Sequence, residues 1–220
     1  MLNNIKQIIN SDFISLNSEL EITESSNSAT INKITFTNAE FININPDIIS
    51  FLNVIFSDTK LCKGFPLCDE LTFQQKCDGI FLAKKNESWY LCVCELKSTL
   101  NKENFLKAKA QLEVSLLKTL MILEILKPID NLKISCFIIS SVPQNNIGDK
   151  LKQLRHRNID NKTPGQLAYQ RLINTKSCLI EDNICLLSSF PIKDKFLLKN
   201  STLFFIEGNN KNIDILNYLN

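Results

Sequence analysis

The chain has 220 residues, 44% of them hydrophobic and 14 of them Phe, enough to bury a substantial core in one domain, which excludes a disordered chain. A formal net charge of +2 excludes a general attraction for polyanions, so any nucleic-acid site has to come from local clustering. No run of about 18 uncharged apolar residues is present, and "MLNNIKQIINSDF" is too polar for a secretory core; the expectation is a soluble, cytoplasmic protein that engages no membrane.

The first 45 residues are rich in Asn and Ser and carry short β-like runs at "LEIT", "INKITF" and "EFININ", read as an N-terminal elaboration. Asp47, behind Pro46, opens "DIISFLNVIFSD", whose apolar spacing suits a helix of about three turns. "CKGFPLCDE" then turns the chain. "KCDGIFLA" and "WYLCVCELK", joined by the polar "KKNES", have the pattern of a hairpin. Residues 102–127 contain no Gly or Pro and are rich in Leu, Lys, Ala and Glu, which predicts a long helix. Asn101 can cap its start and Pro128 stops it.

"LKISCFIISSVP" reads as a buried strand, and a strand reached through a long helix pairs parallel to an earlier one. Residues 144–176 are polar and basic, with a helix in "PGQLAYQRLIN" that Pro164 can open. "CLIEDNICLLSS" and "KFLLKNSTLFFIEG" supply further β-like segments. The predicted fold is α/β: a mixed central β-sheet flanked by helices, with β-rich elaborations at both ends, in a single domain spanning 1–220. Residues 1–45 are the elaboration, 47–140 the core, and 141–220 the helix and strands that complete it.

Eight cysteines suggest buried apolar packing rather than disulfides in a chain of this length. Zinc through Cys62, Cys68, Cys77 and the lone His156 is the alternative, but the gaps lack the paired C-x2-C knuckles of a structural site. Cys92 and Cys94, two apart on a strand, share one face, as core packing requires.

The same alternation sends Leu91, Val93, Glu95 and Lys97 to the opposite face, so a carboxylate and an ammonium become neighbours at a strand end. A hairpin centred on Lys85 to Glu87 sets Asp78 opposite positions 94 to 96. Asp78 and Glu95 can then meet at one metal. The plain alternative is an exposed i, i+2 ion pair with turn chemistry at Asp78-Gly79.

With Cys77-Asp78 in the place of a Pro-Asp pair and Glu95-Leu96-Lys97 in the place of a (D/E)-x-K triplet, the chain resembles the PD-(D/E)XK nuclease superfamily over residues 47–140. The segment is similar to variants among bacterial restriction and anti-phage defence nucleases. The resemblance implies a restriction-endonuclease-like core and Mg2+-dependent (or Mn2+-dependent) phosphodiester hydrolysis, as an endonuclease in defence or restriction. It implies Asp78 and Glu95 as metal ligands, Lys97 as the group orienting water or compensating transition-state charge, and Gln111 as the glutamine of the following helix. That glutamine either contacts a nucleotide or holds the lysine. Tyrosine often follows it four residues later in exonuclease-like members; Ser115 stands there, against end processing. An upstream acidic residue is frequent in the superfamily, and Glu70 or Asp69 is the candidate, with Glu70 preferred as a further metal ligand; an exposed loop carboxylate is the plain alternative.

Lys107, Gln111 and Lys118 fall on one stripe of the long helix beside Ala108 and Ser115, small residues that admit close approach to the sheet. Lys107, with Lys150, Lys152, Arg155 and Arg157 of "GDKLKQLRHRN", forms the candidate nucleic-acid surface; a solvated face explains the latter segment equally well. His156 has no orienting carboxylate nearby in sequence. DNA is preferred to RNA as partner. No G-x-x-x-x-G-K-[ST] loop is present, so any ATPase or regulator is a separate protein, and a homodimer is compatible with the sequence. The competing reading is a catalytically inactive protein of the same fold, serving nucleic-acid binding or complex assembly.

Overall fold

The hairpin expected around "KKNES" forms as β5 (Gly79–Lys85) and β6 (Ser88–Lys97), with Asn86 at a φ of 55° in the turn, a conformation Asn tolerates. The computed structural model describes residues 14–24, 31, 33–50, 75–125, 132–140, 164–179, 202–208 and 212–219. Before the hairpin come β1 (Ile14–Asn17), β2 (Leu20–Thr23), β3 (Lys33–Thr37), β4 (Glu40–Ile44) and a 3-10 segment, Pro46–Ser50. After it come α1 (Lys102–Ile125), β7 (Lys133–Ser140), α2 (Pro164–Thr175), β8 (Ser177–Leu179), β9 (Thr202–Glu207), β10 (Asn212–Asp214) and a 3-10 turn, Ile215–Asn217.

Seven strands form one sheet in the order β1-β4-β5-β6-β7-β9-β8. Its middle is parallel: β6 runs alongside β7 and β7 alongside β9, with α1 as the first crossover. The strands toward β1, and β8 at the far edge, are antiparallel to their neighbours, so the sheet is mixed, as expected. α1 starts where Asn101 accepts the N–H of Asn104 on its side chain, at 2.8 Å.

Two expectations change. β1 and β4 are hydrogen-bonded members of the main sheet, so these strands of the expected elaboration do more than decorate it. The N- and C-terminal β segments are not separate additions, because β10 pairs parallel with β3, and β2 completes a second, three-stranded sheet. Helices cover one face of the main sheet, and this small sheet covers the other. The alternation along β6 expresses that division: Leu91 and Val93 pack with α1 and α2, while Tyr90, Cys92, Cys94 and Leu96 pack with Ile22, Ile34 and Phe36 of the small sheet. The helix expected from Asp47 is described only as the 3-10 segment; its continuation lies outside the described residues, as do Pro128 and most of "CLIEDNICLLSS".

At Gly79 the two sheets approach closely. A Cβ there would stand 2.3 Å from Ile22 Cδ1 and 3.0 Å from its Cγ1, so the end of β2 rests on bare β5 backbone. Gly79→Val is therefore expected to destabilise the protein by about 1–3 kcal/mol in urea unfolding, and trimming Ile22 to Val in the same chain to recover part of the loss.

Candidate active site

Asp78 is the residue just before β5. Its N–H continues the hairpin ladder by donating to the Cys94 carbonyl at 3.1 Å, next to the Gly79–Cys94 pair. Its carboxylate reaches across the strand, and Oδ2 accepts the Leu96 N–H at 2.7 Å. The register read from the sequence is thus the register of the fold, and Asp78 stands beside Glu95.

Glu95 is 1% exposed. Its Oε1 accepts from Lys97 Nζ, as the shared face of a strand allows. Its Oε2 is buried and has no hydrogen-bond partner, a costly state for an ionised oxygen. Burial, and then the Asp78 charge, push its pKa up to about 8 against the pull of Lys97. Asp78 is raised as well, by burial, although the Leu96 N–H and Lys97 oppose the shift.

Lys97 is one-fifth exposed at its side chain, the open end of an otherwise buried pair. Besides Glu95 it donates to Gln111 Oε1 at 2.9 Å, and Gln111 Nε2 donates to the Lys76 carbonyl at 3.1 Å. The amide thus has a partner at each end, which fits the lysine-holding role better than contact with a nucleotide. Below it on α1, Ser115 Oγ accepts the Cys77 N–H at 2.8 Å, and Lys118, fully buried, donates to the Gln75 carbonyl at 3.3 Å. Burial holds Lys118 down at about 8.

No family model, curated protein or solved structure matches the chain.

The described fold brings together Asp78, Glu95, Lys97 and Gln111. Lys107 stands apart from them, exposed and paired with Glu103 at 2.9 Å one turn back, an arrangement of small energetic weight. Glu70, Asp69, Lys150, Lys152, Arg155, His156 and Arg157 lie outside the described residues. So do Cys62 and Cys68, while Cys77 is a free, buried thiol that donates to the Gly79 carbonyl at 3.3 Å, with burial pushing it up to about 12.

One residue was missed. Glu24 follows β2, and the approach permitted by Gly79 carries it to the same end of the sheet. Burial, and then the charge of Asp78, raise its pKa, and Lys97 opposes this; Glu24 in turn raises the pKa of Glu95. Its Oε2 is also buried without a partner. The signal was an apolar strand, "LEIT", that ends on a carboxylate just as β6 does, but no spacing in the sequence connects residue 24 to residue 78.

The donor set suits a hard cation. Asp78 and Glu95 offer oxygen only, and an unpartnered buried carboxylate oxygen is what a divalent ion would satisfy. Among the described residues no three His, Cys, Asp or Glu side chains stand together at metal-ligating positions; the charge of Glu24 adds to the rise in the Glu95 pKa. Two carboxylates with water and a phosphate are a sufficient set for Mg2+.

Proposed function

We propose that the protein is a metal-dependent nuclease that hydrolyses phosphodiester bonds at the open end of β6. The observation that carries this reading is the buried Glu95, with one oxygen on Lys97 and the other unpartnered, beside the Asp78 carboxylate. Asp78 and Glu95 would hold the Mg2+ ion, which when bound supplies Lewis-acid polarisation of a phosphate oxygen and acidifies water. Asp78 is steadied for this by the Leu96 N–H. Glu95 keeps Oε2 for the ion while its other oxygen orients Lys97. With two of its hydrogens on Glu95 and Gln111, Lys97 directs the third to the attacking water or to the phosphate oxygen on which charge develops. Glu24 adds negative field that favours a cation near the pair.

The substrate is nucleic acid, DNA in preference to RNA, and an endonucleolytic role in defence or restriction follows the resemblance of the Asp78 and Glu95-Leu96-Lys97 pattern. Incubation with supercoiled plasmid and with RNA, in Mg2+, in Mn2+ and in chelator, tests the reading. Metal-dependent cleavage of either polymer supports it; tight binding without cleavage in every condition favours the inactive, nucleic-acid-binding alternative. Glu24→Gln is expected to weaken Mg2+ activation by about tenfold, read as the half-saturating metal concentration for cleavage, since it tunes the ligands without being one.

A further inference from the structure

The peptide that joins Lys76 to Cys77 has both of its polar groups taken by side chains of α1. Its carbonyl accepts from Gln111 Nε2 and its N–H donates to Ser115 Oγ, at 3.1 and 2.8 Å. The carbonyl one residue earlier, of Gln75, accepts from Lys118 Nζ at 3.3 Å. Positions 111, 115 and 118 are spaced by four and three and so form one stripe of the helix. Sheet pairing is shown from Asp78 N–H onward, and these helix side chains bond one backbone group of each of the three residues leading into the carboxylate.

We propose that Gln111, Ser115 and Lys118 are positioning residues, which set the Asp78 carboxylate against Glu95 by holding the backbone that carries it. The proposal rests on the hydrolytic reading of this site and says what fixes its geometry. Toward β6, Asp78 is held by one backbone bond and by its own carboxylate on Leu96. Those two bonds leave the segment before it able to hinge, and α1 supplies the second anchorage. Ser115 is fully buried, so water does not replace its hydroxyl when it is removed. Gln111 joins the two halves of the site. Its oxygen receives Lys97 and its nitrogen grips the 76–77 peptide, so a shift of that peptide turns the amide and loosens the lysine. One helix face thereby keeps the Asp78 carboxylate and the Lys97 ammonium in register.

The test is Mn2+ affinity by calorimetry on the full chain, in wild type, Ser115→Ala and Lys118→Met, below the unfolding temperature of each, with amide hydrogen exchange on the same samples. Ser115→Ala is expected to weaken Mn2+ about fivefold to tenfold and to speed exchange at the Cys77 amide, while the amides within β5 and β6 keep their protection. Lys118→Met keeps the aliphatic packing and removes a positive charge, which alone would tighten a cation. Positioning predicts the opposite, about twofold weaker binding. If Ser115→Ala does not fold, Lys118→Met decides the matter alone. Wild-type affinity in the folded variants overturns the proposal and leaves the nuclease reading standing. A wild-type chain with no saturable Mn2+ site overturns both.

Discussion

Glu95→Gln is expected to stabilise the metal-free protein at pH 8 and above, and to abolish its stabilisation by Mg2+. The sign follows from the direction of the Glu95 shift. An unfolded glutamate releases its proton near 4.5, whereas burial and the Asp78 charge hold Glu95 protonated up to about 8. Between those values the unfolded chain binds fewer protons than the folded one, so stability falls as pH rises and levels off above about 8. The full effect is on the order of 4 kcal/mol, with Asp78 and Glu24 acting in the same direction. In a domain of this size that corresponds to a gain of roughly 10 °C in melting temperature for Glu95→Gln at alkaline pH. Below pH 4.5, where Glu95 is neutral in both states, wild type and variant should converge. Thermal melts of both chains from pH 4 to pH 9, with and without Mg2+, check all three statements. Equal pH dependence in the two chains would remove Glu95 as the source.

Lys97→Met should lower cleavage about 10²–10³-fold while leaving metal binding intact or slightly tighter, because the variant loses a donor to developing charge and a cation that repels the metal. Single-turnover cleavage alongside Mn2+ calorimetry separates these two effects. Lys97→Arg is not expected to rescue. The ammonium sits between Glu95 Oε1 and Gln111 Oε1, and a planar guanidinium cannot place donors on both oxygens and on a third group from the same stem. Loss of Mn2+ binding in Lys97→Met would instead make Lys97 a structural partner of Glu95.

The strands of the hairpin, their register and the long helix were legible because each rests on a local rule. Alternation placed Cys92 and Cys94 opposite Glu95 and Lys97, the turn length paired Asp78 with the end of β6, and an uninterrupted run of helix formers after Asn101 gave α1. Gln111 was legible from its place on that helix, and in the structure its oxygen accepts from Lys97 while its nitrogen donates to the Lys76 carbonyl. Non-local features were not legible. That β10 joins β3, and that β4 extends the main sheet, depends on pairings that no local period encodes. Glu24 was invisible for the same reason: its place beside Asp78 comes from Ile22 resting on Gly79, two residues whose contact the sequence does not announce. Lys118 was placed from the sequence on the stripe beside Ala108 and Ser115 that approaches the sheet, and it is buried there; its bond to the Gln75 carbonyl was not legible, because helical periodicity reports the angle of a side chain and not what it meets.

Cleavage of supercoiled plasmid and of RNA in Mn2+ by wild type, Asp78→Ala and Lys97→Ala tests the central claim most directly. The account predicts metal-dependent nicking or degradation by the wild type and at least about a hundredfold loss in both variants; equal cleavage by all three chains would contradict it.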